Sequence, residues 1–156
     1  MGVIILPLFL VIAWVLAAVG VSGPGTESGA GFVDDAMAWV LFLPVGCIFI
    51  SSSVMHTFVA KKTAANIGWE TNGFQYELGF VCLGLGIAGV LAPYLHPDTW
   101  LIVTIPTTTF LVLAGVNHIV EMVRKHNYAP GNTIILVSDF GTPISLWILL
   151  FLTGTI

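Results

Sequence analysis

Apolar residues run along this chain in unbroken stretches, not in alternation with polar ones, and each stretch stops at a cluster of glycine, proline or charge. A helix that crosses a bilayer needs about 20 mostly apolar residues, because the hydrocarbon core is roughly 30 Å thick and each helical residue rises about 1.5 Å. Five stretches meet that length with some interruption: about 3–22, 36–60, 74–95, 100–123 and 133–155. A membrane β-barrel would alternate polar and apolar residues in segments of roughly ten, and continuous runs exclude it. The expected fold class is all-α: a polytopic membrane protein with five transmembrane helices in one domain over residues 1–156, the last four forming a bundle.

The punctuation between the runs predicts the connections. Ser22 to Asp35 (SGPGTESGAGFVDD) is rich in glycine and reads as a loop; Asp34 or Asp35 is placed to cap the next helix by accepting its free N–H groups. Pro44 predicts a kink in the second span. TAANIGWETNG is the next loop, with Trp69 suited to the headgroup region. Gly84 to Gly89 spells GLGIAG inside the third span. A dinucleotide site needs that string after a strand and at a helix start, so small residues admitting a neighbouring helix are the better account. PYLHPD makes a tight turn with a solvated His96, and the threonines around Pro106 can satisfy backbone groups near a kink. The first run resembles a signal peptide at Ala17-Ala18, but nothing basic precedes Lys61, so a retained helix is expected.

Composition sharpens this. Hydrophobic residues make up 57% of the 156 and charged ones 8%, against roughly 25% charged in a soluble domain. All four basic residues fall in two places, Lys61-Lys62 and Arg124-Lys125. With five spans these lie on one side, which the excess of bases makes cytoplasmic, while Glu27, Asp34, Asp35 and Asp98 fall on the other. The expected location is the cytoplasmic (inner) membrane, multi-pass, with the N-terminus in and the C-terminus out. No basic tract for nucleic acid is present. Cys47 and Cys82 lie inside spans and read as small buried hydrophobes.

The candidate chemistry gathers at one depth. His56, Gln75, Glu77, Asn117, His118, Glu121 and Asp139 come from four spans, all within about two turns of the base-bearing surface. Polar groups there usually face the bundle interior and are paired. His118 and Glu121 are three apart and Asn117 and Glu121 four apart, so one helix carries a polar stripe; Ser52 and His56 share a face likewise. Three readings are open: a satisfied structural network with Glu121 on Arg124 or Lys125; a pocket for a proton, ion or small polar molecule; or a metal or haem site using His56 and His118. One His-x-x-Glu pair is half of a helical carboxylate metal motif in reversed order, so the cofactor is left open. No nucleophile motif stands out.

Gly68-Trp69, the FQYELG run with Phe74, Gln75, Glu77 and Gly79, then His118, NYAPGN (Asn127, Tyr128, Pro130, Gly131, Asn132), Asp139 and Pro143, with His56 upstream, form a connected pattern. It resembles a family of small bacterial and archaeal membrane proteins catalogued as a domain of unknown function, loosely DoxX-like. The resemblance covers roughly residues 50–150. It departs at Glu70–Asn72, where proline is expected, and after Asn132, where TII replaces small residues. It implies where the site lies and leaves its chemistry open. The leading expectation is binding or passage of a small polar ligand or proton. The alternatives are an accessory subunit of a larger membrane complex, and a membrane enzyme with acid/base carboxylates and histidines. Expected partners are the lipid bilayer and other membrane subunits or further copies of the chain.

Overall fold

The apolar runs fold as helices. The computed structural model describes residues 4–156, and every regular element among them is helical. The elements are α1 (Ile5–Ala18), α2 (Phe32–Thr57), α3 (Ala60–Ile67), α4 (Gly73–Leu91) with a 3-10 turn over Ala92–Tyr94, α5 (Asp98–Lys125) and α6 (Pro130–Leu152). Among the described residues α2, α4 with its turn, α5 and α6 are long and apolar enough to cross a membrane.

The first run differs from expectation. Its expected start, Val3, lies outside the described residues. The helix α1 has 14 residues, roughly 21 Å of rise, and the chain leaves it through Gly20 at φ 76°. Nor does it stand apart from a bundle of four. Ala13 and Ala17 are buried, Leu10 lies against Gly141 of α6, and Trp14 Nε1 donates to Ser145 Oγ at 3.0 Å. Small side chains on one face let α1 approach closely, so it packs as a fifth, shorter member.

Pro44 has no N–H to give the preceding turn, and α2 widens there into a π-helical stretch over Leu41–Cys47. The α2–α4 contact is a glycine seam. A Cβ at Gly89 would lie 2.6 Å from Gly46 N, and one at Gly86 would lie 2.7 Å from Ile50 N. Gly79 meets Thr57 in the same way, whereas Gly84 meets nothing within 4 Å. The small-residue account of GLGIAG therefore holds for Gly86 and Gly89, which face α2, and not for Gly84.

Two connections are more structured than their sequences suggest. The α3 helix lies in what reads as a loop; it buries Ala60, Thr63 and Ala64 while Lys61, Lys62 and Asn66 stay exposed. Thr63 Oγ1 donates to Met55 O at 2.8 Å, and Gly68, at φ 81°, ends the helix. In the Ser22–Asp35 loop neither acid caps α2, whose N-cap is Gly31. Asp35 Oδ1 instead accepts from Gly23 N and Thr26 Oγ1, both at 2.7 Å, so the carboxylate fastens the loop to the first turn.

Lys61-Lys62 and Arg124-Lys125 share one end of the bundle. There Gly131, at the start of α6, packs against Asn66 O, and Asn127 Nδ2 donates to Ile67 O at 2.8 Å. Away from that end the interior is filled by Met37, Leu41 and Val45 of α2 and Leu146, Leu149 and Leu150 of α6.

Candidate functional site

The half of the bundle next to the bases is hollow. A cavity of about 280 Å³ lies between α2, α3, α4, α5 and α6, with Leu6 of α1 on its wall. The wall is mostly apolar, including Ile48, Phe49, Phe110 and Leu111. Phe49 and Phe110 meet edge to face, with ring centroids 5.5 Å apart. Polar groups come from four helices: Ser52 and His56 of α2, Thr63 and Asn66 of α3, Asn117 and His118 of α5, and Ser138, Asp139 and Thr142 of α6. A largely apolar cleft with few convergent polar groups is the usual form of a small-molecule site.

His118 is the best-positioned of these. Asn132 is fully buried, and its Nδ2 donates to Asn127 O at 2.8 Å and to His118 O at 3.2 Å. Both amide hydrogens are thus used, which turns Oδ1 towards His118 Nδ1 at 2.7 Å. An amide oxygen only accepts, so Nδ1 carries the hydrogen, and in the neutral ring Nε2 is left as the acceptor. Trp69 fixes the ring plane, stacked on it at 5.4 Å and 14°. The indole is held in turn, its Nε1 donating to Glu121 Oε2 at 3.2 Å, and Lys125 Nζ lies 2.8 Å from Glu121 Oε1. Trp69 therefore serves as a cavity wall rather than only as a headgroup anchor, and Glu121 has the lysine partner that the structural reading expects.

Asp139 comes to the site because Gly115 has no side chain. A Cβ at Gly115 would lie 3.1 Å from Asp139 Cβ, so α6 settles against α5 one turn from His118. Asp139 is 2% exposed, and its Oδ2 has no hydrogen-bond partner among the described residues; nor does Ser138 Oγ. Buried polar atoms are nearly always paired; the hydroxyls of Thr104 and Thr107, which do not line the cavity, are also without partners among the described residues.

The remaining candidates divide. His56 lines the cavity, its Nδ1 3.3 Å from Gln75 Nε2, which donates to Ala60 O at 2.8 Å. Gln75 thus ties α4 to α3 and borders a smaller neighbouring cavity of about 160 Å³. Asn117 lines the main cavity but is largely exposed. Glu121 acts through Trp69. Glu77 does not join the group: it is exposed, and no salt bridge among the described residues involves it. The face of α4 that meets the bundle runs through Gln75, Leu78, Gly79, Cys82, Gly86 and Gly89, whose helical spacing turns Glu77 outward. Asn132, Trp69 and Ser138 were absent from the expected set, although Asn132 and Trp69 sit in the two motifs that carried the resemblance. No group of three or more His, Cys, Asp or Glu side chains among the described residues is placed to hold a metal ion.

Four helices of crossing length and apolar composition suggest a multi-pass membrane protein. The chain belongs to a family of unknown function, DUF6790, whose model matches residues 4–155. No curated protein and no solved structure matches it.

Proposed function

We propose that this protein binds a small molecule in the cavity beside His118 and Asp139, within a five-crossing protein of the inner membrane. The observation that carries the reading is the unpartnered Asp139 Oδ2 on the wall of a 280 Å³ space. The Thr104 and Thr107 hydroxyls are unpartnered too, but a buried carboxylate is far costlier to leave without a partner than a hydroxyl. Holding a ligand fits better than passing one, because buried Met37, Leu41, Leu146, Leu149 and Leu150 fill the far half of the bundle. Filling the space is the direct test. Ala114 lines the cavity, and Ala114→Trp puts an indole into it. Organic extracts of the parent, purified in mild detergent, are expected to contain a bound compound by mass spectrometry that extracts of Ala114→Trp lack, with equal helicity by circular dichroism. Identical extracts would remove the reading.

The proposed orientation places the end bearing Lys61, Lys62, Arg124 and Lys125 in the cytoplasm, with the N-terminus in and the C-terminus out. It is supported by the confinement of every base to that end. In a background without Cys47 and Cys82, cysteines at Thr26 and Asp98 are expected to react with an impermeant thiol reagent on intact cells. A cysteine at Asn66 is expected to react only after permeabilisation. Labelling of Asn66 in intact cells would reverse the orientation.

A further inference from the structure

We propose that the cavity is a receptor site for a small primary ammonium compound with an apolar body, an inference that rests on the binding reading above. The argument starts from charge. Among the side chains lining the cavity Asp139 is the one carboxylate, and no lysine or arginine accompanies it. An ionised carboxylate out of water needs a cationic or hydrogen-bonding partner, and Asp139 Oδ2 finds none among the described residues. The four bases cannot serve, since none of them lines the cavity. A cationic ligand would supply that partner.

Donor and acceptor matching points the same way. Asn132 Oδ1 occupies Nδ1 of His118 and leaves Nε2 of the neutral ring able only to accept. The Asp139 carboxylate accepts, and Ser138 Oγ, buried and unpartnered, can accept as well. Three acceptors on residues that line one cavity suit a head with three donors, and an alkylammonium has three. A carboxylate or phosphate ligand would set like charge on Asp139. Above the polar side, the Phe49–Phe110 pair and Ile48 form an apolar wall for a short hydrocarbon or aryl body. The structure thus assigns the head to Asp139, His118 and Ser138 and the tail to the phenylalanines.

The test compares three isosteric probes on the full chain in detergent: 2-phenylethylamine, 2-phenylethanol and phenylacetate, with binding read by titration calorimetry. The amine is expected to bind the parent more tightly than either analogue, and to lose affinity by roughly tenfold or more in Asp139→Asn, since a hydrogen bond to a charged group is worth that much. The alcohol is expected to be indifferent to Asp139→Asn, and Ala114→Trp is expected to abolish binding of the amine. If Asp139→Asn does not fold, the ranking of the probes on the parent decides. Equal binding of amine and alcohol, or tighter binding of phenylacetate, overturns the ammonium assignment while loss of that binding in Ala114→Trp leaves the cavity a binding site. No binding of any probe, or binding that Ala114→Trp leaves unchanged, overturns the ammonium site and counts against the cavity reading too.

Discussion

Gly86→Leu is expected to lower the stability of the protein in detergent by about 3 kcal/mol, with Gly84→Leu two residues away costing almost nothing. The contrast follows from the α2–α4 seam. A Cβ at Gly86 would come within 2.7 Å of both Ile50 N and Ile50 Cγ1, and 3.0 Å from Gly46 O. Two of those atoms are backbone, so the strain cannot be relieved by a rotamer change, and the helices must separate. Separation would also break the Gly46–Gly89 approach one turn further on, where the backbones come closer still. Extra volume in a packed interior typically costs about 1–3 kcal/mol, more where the backbone must move. Gly84 has open space at its Cβ position and lies on the exposed side of α4. Glycine is a poor helix former, by roughly 1 kcal/mol relative to alanine, so leucine there is neutral or mildly favourable. Thermal unfolding in one detergent, followed by circular dichroism, separates the two variants. Equal melting would mean that α2 and α4 do not meet along this face.

The long helices were legible because hydrophobic length is a strong signal when water is replaced by lipid. Even so, α1 shows its limit: apolar letters continue to Val21, while the helix ends at Ala18. The α3 helix was illegible because its buried face consists of Ala60, Thr63 and Ala64, residues too small to register as an apolar stripe. The candidate site was legible in depth but not in direction. Counting turns from the bases brought His56, Asn117, His118 and Asp139 to one level, and they do share a cavity. Depth alone could not exclude Glu77, because which way α4 turns is fixed by its glycine seam with α2. Asn132 reads as a turn residue within APGN, and its burial depends on a fold-back of α6 onto α3 that no local pattern announces. A signal was nonetheless present in Ser138-Asp139, adjacent polar residues within an otherwise apolar run, which lipid alone would not tolerate.

Asn132→Leu is expected to cost about 3 kcal/mol and to change the chemistry of His118 as well as the stability of the fold. The side chain is completely buried and engages three groups: Nδ2 holds Asn127 O and His118 O, while Oδ1 holds His118 Nδ1. Leucine has nearly the same bulk and none of these bonds. Each buried group left unpaired costs about 1–3 kcal/mol; His118 O, as a mid-helix carbonyl, can keep an intrahelical bond, so Asn127 O and Nδ1 carry most of the loss. The second consequence is electronic. With Oδ1 gone, nothing compels the ring hydrogen to stay on Nδ1, and the two tautomers interchange. Asn132→Asp separates the effects: it keeps an acceptor for Nδ1–H but loses the donor to Asn127 O. The expected result is that both variants are destabilised in chemical denaturation, while nitrogen NMR of labelled histidine shows a fixed Nδ1–H tautomer for His118 in the parent and in Asn132→Asp and a mixture in Asn132→Leu. A parent spectrum with the hydrogen on Nε2 would mean that Asn132 presents its amino group to the ring, and His118 would then offer the cavity a donor, removing one of the three acceptors on which ammonium recognition depends.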